Sequence, residues 1–156
     1  MTTAVFPGSF DPITVGHVDL VRRAAQVFDK VYVSILDNPG KGCSFTMEER
    51  LELVRDAVKD IPNAFVASST GLLVDHCHEI GATVIVRGIR AGNDVDYEAT
   101  LEEVNTRIDP SITTVYLISK AEYSHVSSSL VRQLIKIGIS IEGVVPNADH
   151  KILRRV

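Results

Sequence analysis

The chain has 156 residues, a formal net charge of −4 and 45% hydrophobic residues, which fits one globular domain over residues 1–156. The net negative charge excludes a broad basic surface for binding nucleic acid. Any phosphate binding must therefore come from a few cationic side chains at specific positions. The two cysteines, Cys43 and Cys77, form no CxxC pair, and we find neither a secretory leader nor an apolar run long enough to span a membrane. We therefore expect a cytoplasmic protein with no nucleic-acid or membrane partner.

Short β-branched runs alternate with longer amphipathic stretches along the chain. The runs predicted as strands are residues 3–6, 31–36, 64–67, 83–87 and 112–118. Between them, apolar side chains recur at helical spacing in three stripes, which run from His17 to Phe28, from Met47 to Ile61 and from Tyr97 to Ile108. Each stripe should pack against an apolar surface. Thr46 and Glu49 have the spacing of a capping box at the start of the second helix.

Strand–helix alternation predicts an α/β fold, a Rossmann-like doubly wound sheet of five parallel strands with right-handed crossovers. The C-terminal part is expected to be helical over residues 127–138, and Pro146 would suit the first turn of a last short helix. In such a sheet, ligands bind at the carboxyl ends of the strands. Polar residues at strand-to-helix junctions are therefore the candidate site.

The first junction, residues 7–17, combines features of a phosphate-binding turn. Gly8 permits close approach of the backbone to a ligand, Gly16 opens the first helix, and His17 lies in the first turn of that helix. Taken alone, each feature has a structural explanation: the glycines and prolines could form an ordinary loop, and His17 could be a core histidine whose hydrogen bonds are all made within the chain. The junction is neither a P-loop nor a GxGxxG turn, so hydride chemistry on a dinucleotide has no support.

Three further junctions carry residue types suited to phosphate. Lys41 follows the second strand, and Arg87 and Arg90 flank a glycine after the fourth, where guanidinium groups could clamp phosphate oxygens. Solvated surface cations are the alternative. Residues 127–129 are three serines before an apolar helical stripe, which is also the pattern of ordinary helix N-caps.

Two other features favour structural roles. Arg50 is expected to be a surface charge or part of a structural pair. The run of His76, Cys77 and His78 suggests a metal site, but adjacent helical side chains point about 100° apart and cannot easily converge on one ion. We therefore expect no protein-built metal site.

The first junction resembles the HxGH signature of the nucleotidylyltransferase superfamily, with Thr14 in place of the first histidine. Together with residues 7–13, this replacement resembles the bacterial phosphopantetheine adenylyltransferase family, and the resemblance covers essentially the whole chain. Residues 123–132 resemble the second superfamily signature, written ISSSxVR/K in this family, with Val126 in place of isoleucine. Tyr123 and His125 replace other aromatic residues of relatives, which could alter nucleotide contacts.

The resemblance implies an adenylyl transfer from ATP to 4′-phosphopantetheine, which yields dephospho-coenzyme A and pyrophosphate in coenzyme A biosynthesis. It also implies a role for each matching residue. His17 is the catalytic transition-state stabiliser. The implied substrate-binding residues are Ser9, Lys41, Leu73 and Arg87. The implied ATP-binding residues are Ser9, Phe10, His17, Gly88, Ile89, Arg90, Glu98, Tyr123, Ser124, His125, Val126, Ser127, Ser128 and Ser129.

The chemistry that we expect is direct in-line attack by the acceptor phosphate on the α-phosphorus, without a covalent intermediate. A phosphate monoester has a second pKa near 6 and is largely a dianion at neutral pH, so it needs no general base. Mg²⁺ should accompany ATP, mainly through phosphate oxygens. The resemblance further implies a homohexamer, a dimer of trimers, with feedback from coenzyme A.

Two other enzymatic functions and one non-enzymatic function remain as alternative hypotheses. The alternative most similar to the main hypothesis is adenylyl or cytidylyl transfer to another phosphate acceptor. Relatives of that kind usually keep the first histidine of the signature, where this chain has Thr14. A class I aminoacyl-tRNA synthetase shares the superfamily core, but the chain is too short and too acidic for a complete one. A nucleotide-binding module without activity would not need Lys41 and Arg87 as a clamp for a second phosphate.

Overall fold

The computed structural model describes residues 1–154 and contains five strands and six α-helices among them. The strands are β1 (Thr3–Gly8), β2 (Lys30–Leu36), β3 (Ala64–Ser69), β4 (Val84–Ile89) and β5 (Thr113–Ile118). The helices are α1 (Val15–Val27), α2 (Met47–Val58), α3 (Leu73–Ile80), α4 (Gly92–Ile108), α5 (Ser128–Ile137) and α6 (Lys151–Arg154), and a 3₁₀ turn spans Ala121–Tyr123. None of the helices in residues 1–154 has the length and apolar character needed to cross a bilayer.

The strands form one sheet in the order β3-β2-β1-β4-β5, and every described pairing is parallel. This confirms the predicted doubly wound α/β architecture. The chain reverses its direction of winding between β1 and β4, which is where an open parallel sheet leaves a crevice at the carboxyl ends of its strands. The residues that follow β1 and those that end β4 therefore meet at one edge.

The sheet carries one hydrophobic cluster on each face because successive strand side chains alternate. Ala4 and Phe6 of β1 belong to the larger cluster, with residues of α1, α2, α5 and α6. Val5 faces the other way and packs with Val74 and Cys77 of α3. The buried central strands explain the nearly continuous apolar runs of the sequence.

The helix starts follow the capping chemistry of the sequence. The predicted box at α2 is present, with the Glu49 amide donating to Thr46 Oγ1 at 3.2 Å and the Thr46 amide donating to Glu49 at 2.9 Å. Helix α1 begins at Val15, one residue before the predicted Gly16, because Thr14 acts as its N-cap. Helix α5 begins after Ser127 and ends at Gly138, which adopts the left-handed conformation (φ 75°).

The structure bears on three expectations about the helical part and its surface, and the first of them is wrong. Pro146 does not lie in the first turn of α6, because turns around Asn147 and His150 delay the helix to Lys151. The stripe on α4 is largely exposed in the single chain, with Tyr97 64% and Val104 50% exposed, so residues 1–154 do not themselves supply the apolar surface expected to cover it. For Arg50, the second of the two expected roles is confirmed: it is 3% exposed, donates to the Ser9 carbonyl at 2.9 Å and lies 3.5 Å from Asp37.

Candidate active site

A cavity of about 420 Å³ opens at the carboxyl edge of the sheet, beside the point where the winding reverses. Its walls come from the junction after β1, the β2–α2 loop, the end of β4, the start of α4 and the start of α5. The predicted site residues that line it are Ser9, Phe10, His17, Lys41, Arg87, Gly88, Arg90, Glu98, Tyr123, Val126, Ser127, Ser128 and Ser129. Residues that are far apart in the sequence thus line one cavity.

Four other predicted residues do not line this cavity. Leu73 is half-buried at the start of α3 and packs against the second hydrophobic cluster. Ile89 lies in β4 opposite Ile118 of β5. The Ser124 hydroxyl donates to the Ala121 carbonyl at 2.9 Å, and the His125 side chain is exposed.

The His17 imidazole is held by the first turn of its own helix. The Thr14 amide donates to His17 Nδ1 at 3.0 Å, while the His17 amide donates to Thr14 Oγ1 at 3.3 Å, which makes a reciprocal capping box. A backbone N–H can only donate, so Nδ1 must be unprotonated and the neutral ring carries its proton on Nε2. Nε2 is therefore the polar atom of His17 available to a ligand, and it is a donor.

The surroundings of His17 also favour the neutral ring. Burial, followed by the positive charges of Arg90 and Arg87, lowers the pKa of His17 from 6.5 to about 4. The ring packs edge-on against Phe10, with centroids 5.1 Å apart and planes at 83°. Near neutral pH, His17 is thus a neutral hydrogen-bond donor in a fixed orientation.

Arg87 forms a bidentate ion pair with a carboxylate from α4. Its Nε and Nη2 donate to the two oxygens of Glu98 at 2.9 and 2.8 Å, and Nη1 donates to the Pro7 carbonyl at 3.3 Å. A planar guanidinium has five N–H donors, so two remain for a ligand. Glu98 is itself 7% exposed, so its two oxygens serve to orient Arg87.

Gly88 separates the two arginines and lies within β4, not after it as predicted. A Cβ atom at Gly88 would lie 2.4 Å from Leu20 Cδ1 of α1. The glycine therefore allows α1 to pack close to β4, which brings the His17 and Arg87 elements together. Arg90 follows the strand, and Asp94 accepts from its backbone amide at 3.0 Å.

The start of α5 forms the remaining wall. Ser127 is the N-cap, with its Oγ accepting from the Leu130 amide at 3.1 Å, so its expected structural role is present. Ser128 Oγ donates to the Pro12 carbonyl at 2.8 Å, and this bond ties α5 to the first junction. The first-turn amides of a helix are unpaired donors at the positive end of its dipole, which suits phosphate oxygens.

Several cavity residues were not predicted from the sequence. Arg132 lines the cavity, donating from Nη1 to the Asp11 carbonyl at 2.8 Å and from Nη2 to Ser129 Oγ at 3.1 Å. Asp11 and Thr14 line it as well. Thr14 could have been found by the three-residue spacing from Thr14 to His17, which is that of a capping box with histidine in place of glutamate. The sequence offers no such signal for the contacts of Asp11.

The histidines and the cysteine of α3 do not converge. His76 is 2% exposed and bonds to Ser34 Oγ at 2.8 Å, Cys77 packs in the second cluster, and His78 pairs with Asp109 at 2.9 Å. Within residues 1–154, we find no cluster of three or more histidine, cysteine or acidic side chains placed to hold a metal ion.

Known structures share the fold of this chain. A bifunctional NMN adenylyltransferase/ADP ribose pyrophosphatase from Francisella tularensis superposes with a TM-score of 0.74 at 16% identity, over 99% of this chain and 49% of that chain. The present chain thus spans about half the length of that protein. A putative nicotinate-nucleotide adenylyltransferase from Vibrio parahaemolyticus gives a TM-score of 0.71 at 20% identity, covering 99% and 93% of the two chains.

Sequence relatives are much closer. Residues 5–134 match the cytidylyltransferase-like family. A phosphopantetheine adenylyltransferase from Symbiobacterium thermophilum is 49% identical over 99% of this chain and 95% of its own length. One from Clostridium novyi is 46% identical over 94% and 91%. The chain therefore belongs to the phosphopantetheine adenylyltransferase family, within the cytidylyltransferase-like proteins.

Proposed function

We propose that this chain transfers the adenylyl group of ATP to 4′-phosphopantetheine, giving dephospho-coenzyme A and pyrophosphate. Family membership at 43–49% identity over nearly the full length supports this choice of substrates. The observation that carries the proposal is that one cavity is lined by a neutral donor histidine and by cations from separate junctions. That combination fits a reaction between two phosphate groups.

In the proposed mechanism, the acceptor phosphate attacks the α-phosphorus in line and pyrophosphate leaves from the opposite side. The acceptor is largely a dianion at neutral pH and needs no base. A His17 pKa of about 4 leaves the ring a poor base, which is consistent with this route. The protein contributes positioning and stabilisation of the charge that develops on the transferred group.

His17 is the proposed transition-state donor. Its Nδ1 is engaged by the Thr14 amide, so Nε2–H would donate to an α-phosphate oxygen. Because the ring is fixed at the start of α1, little reorganisation is needed as charge builds on that oxygen.

The cations divide into two proposed groups. Lys41 and Arg87 would hold the acceptor phosphate, Arg87 through the two N–H donors that Glu98 and Pro7 leave free. Arg90 and the serine-bearing start of α5 would hold the β- and γ-phosphates. Leu73, outside the cavity, would contact the pantetheine arm beyond it.

Mg²⁺ is proposed as a companion of ATP and not as an ion held by the chain. The carboxylates that line the cavity are already engaged: Asp11 by backbone amides, Asp94 by Arg90, and Glu98 by Arg87. These residues do not offer a ready ligand set. Mg²⁺ prefers oxygen ligands and keeps several waters, so the phosphates of ATP would supply its coordination.

We also propose a homohexameric assembly, regulation by coenzyme A and a cytoplasmic location. The exposed apolar side chains on α4, including Tyr97, Val104 and Ile108, support a subunit interface. The free thiols of Cys43 and Cys77 favour a reducing compartment. Mass in solution and inhibition by added coenzyme A test the first two points.

The function is tested by pyrophosphate release from ATP with 4′-phosphopantetheine, compared with nicotinamide mononucleotide and glycerol phosphate as acceptors. We expect turnover with phosphopantetheine and little with the other two. Preference for another acceptor would replace the substrate assignment. ATP binding without turnover on any acceptor would refute the enzymatic proposal.

A further inference from the structure

Asp11 is a carboxylate in the wall of a cavity that is otherwise suited to anions. Its side chain is 8% exposed and contributes to the lining together with Lys41 and Arg132. A negative charge at this position repels phosphate groups and is costly to bury, so it must be offset by specific partners. The hydrogen-bond partners of the Asp11 carboxylate therefore indicate its role.

Both oxygens of Asp11 accept from the β2–α2 loop, residues 37–46. The Ser44 amide donates to Oδ2 and the Phe45 amide donates to Oδ1, each at 2.9 Å. The Phe45 side chain is buried beside them. Hydrogen bonds from amides to an ionised carboxylate are stronger than those to neutral acceptors. Asp11 thus anchors the loop at a point three residues after Lys41.

The part of the loop that carries Lys41 has mainly internal support. The hydrogen bonds described for residues 38–43 join the Lys41 and Gly40 amides to the carbonyl and side chain of Asn38. Lys41 itself is exposed, on the rim of the cavity. At its other end the loop is tied to β3, where the Asp37 amide donates to the Ser69 carbonyl at 2.9 Å. The position of the lysine relative to the first junction therefore depends on the anchor at Ser44 and Phe45.

Asp11 is also joined to the opposite wall, but through a different atom. Arg132 Nη1 donates to the backbone carbonyl of Asp11 at 2.8 Å, whereas the carboxylate oxygen Oδ2 is 3.7 Å from the same nitrogen. The hydrogen bond from Arg132 to the Asp11 backbone carbonyl would remain if the side-chain charge were lost. The hydrogen bonds from the loop amides to the carboxylate would be weakened or lost.

We propose that Asp11 is a positioning residue whose carboxylate fixes the β2–α2 loop, and with it Lys41, against the first junction. This inference rests on the proposed function, in which Lys41 holds the acceptor phosphate. Its role is specific to one substrate: the carboxylate sets the acceptor side, while the ATP side keeps its own contacts through α1 and α5.

Asp11→Asn tests this assignment. The amide keeps one acceptor oxygen but presents an NH₂ group to the second backbone donor, so one charge-assisted hydrogen bond is lost and one amide is left unpaired. We expect KM for 4′-phosphopantetheine to rise about tenfold, with KM for ATP changed less than about twofold. Asp109→Asn, at the opposite edge of the sheet, is the matched control and should leave both values unchanged.

Amide hydrogen exchange supplies a readout that does not depend on turnover. Exchange at Ser44 and Phe45 should be faster in Asp11→Asn than in wild type and unchanged in Asp109→Asn. If Asp11→Asn does not fold, Ser44→Pro, which removes one donor and keeps the carboxylate, should raise KM for phosphopantetheine in the same selective way.

Parallel increases in both KM values, a lower kcat with both KM values unchanged, or unaltered exchange at Ser44 and Phe45 would overturn the assignment. Failure of the wild type to use phosphopantetheine refutes the proposed function instead. In that case the exchange comparison alone decides whether Asp11 anchors the loop.

Discussion

The neutral state of His17 makes the stability of this fold depend on pH in a defined window. We consider the substitution His17→Gln, because glutamine at the third helical position completes a capping box with Thr14. The variant keeps an acceptor for the Thr14 amide but cannot titrate. Comparing it with wild type isolates the effect of protonating the partly buried ring.

The magnitude follows from the pKa of His17. This pKa is lowered from 6.5 to about 4 in the folded chain, with burial as the largest cause. Between these values the unfolded chain binds more protons than the folded one, so stability is full above about pH 6.5 and falls as the pH drops toward 4. At about 1.4 kcal/mol for each pH unit, wild type should lose about 3 kcal/mol that His17→Gln does not lose.

Urea unfolding followed by circular dichroism, at half-unit steps from pH 7 to pH 4, measures the difference. The free energy of unfolding of His17→Gln minus that of wild type should rise by about 3 kcal/mol across this range. His125→Gln, which removes an exposed imidazole, serves as the control and should follow wild type. A constant difference between His17→Gln and wild type would refute the claim that the ring is held neutral by burial.

Three further outcomes are expected. In single-turnover experiments, His17→Ala should slow the chemical step by about 2–4 kcal/mol, the cost of one lost transition-state donor, and an unchanged rate would exclude that role. Gly88→Ala should cost about 1–3 kcal/mol of unfolding free energy, because its Cβ would lie 2.4 Å from Leu20 Cδ1; Leu20→Ala in the same chain should remove most of the clash. Ser127→Ala should lower the free energy of unfolding by about 1 kcal/mol, because the N-cap of α5 is lost, whereas Ser124→Ala should lower it less. Thermal and urea unfolding both measure this difference.

The positions of the strands, and therefore of the site, could be predicted from the sequence. Short runs of apolar and β-branched residues locate all five strands to within two residues at each end. The parallel arrangement then places every strand-to-helix junction at one edge. This geometric rule is why His17, Lys41 and Arg87, far apart in the chain, could be expected to share a cavity.

Other features depend on contacts that a periodic pattern does not encode. The stripe from Tyr97 to Ile108 has helical spacing, but that spacing does not say whether the face is covered by the same chain or by another. Pro146 has a residue type suited to a first helical turn, yet side-chain hydrogen bonds of Asn147 and His150 hold that segment in turns. Local propensity is overridden wherever such specific contacts are available.

The most informative difference concerns the charged residues of the cavity. In the sequence each arginine is a free cation, but in the structure Glu98 binds the Arg87 guanidinium and the backbone carbonyl of Asp11 binds that of Arg132, while the Arg90 guanidinium lies 3.8 Å from Asp94. The hydrogen bonds of Arg87 and Arg132 fix these donors in place before any ligand arrives, so less side-chain freedom is lost on binding. Each carboxylate also offsets part of the mutual repulsion among the cations. A cavity built in this way can accept two polyanions and still hold their phosphates in register, which is the requirement of in-line transfer.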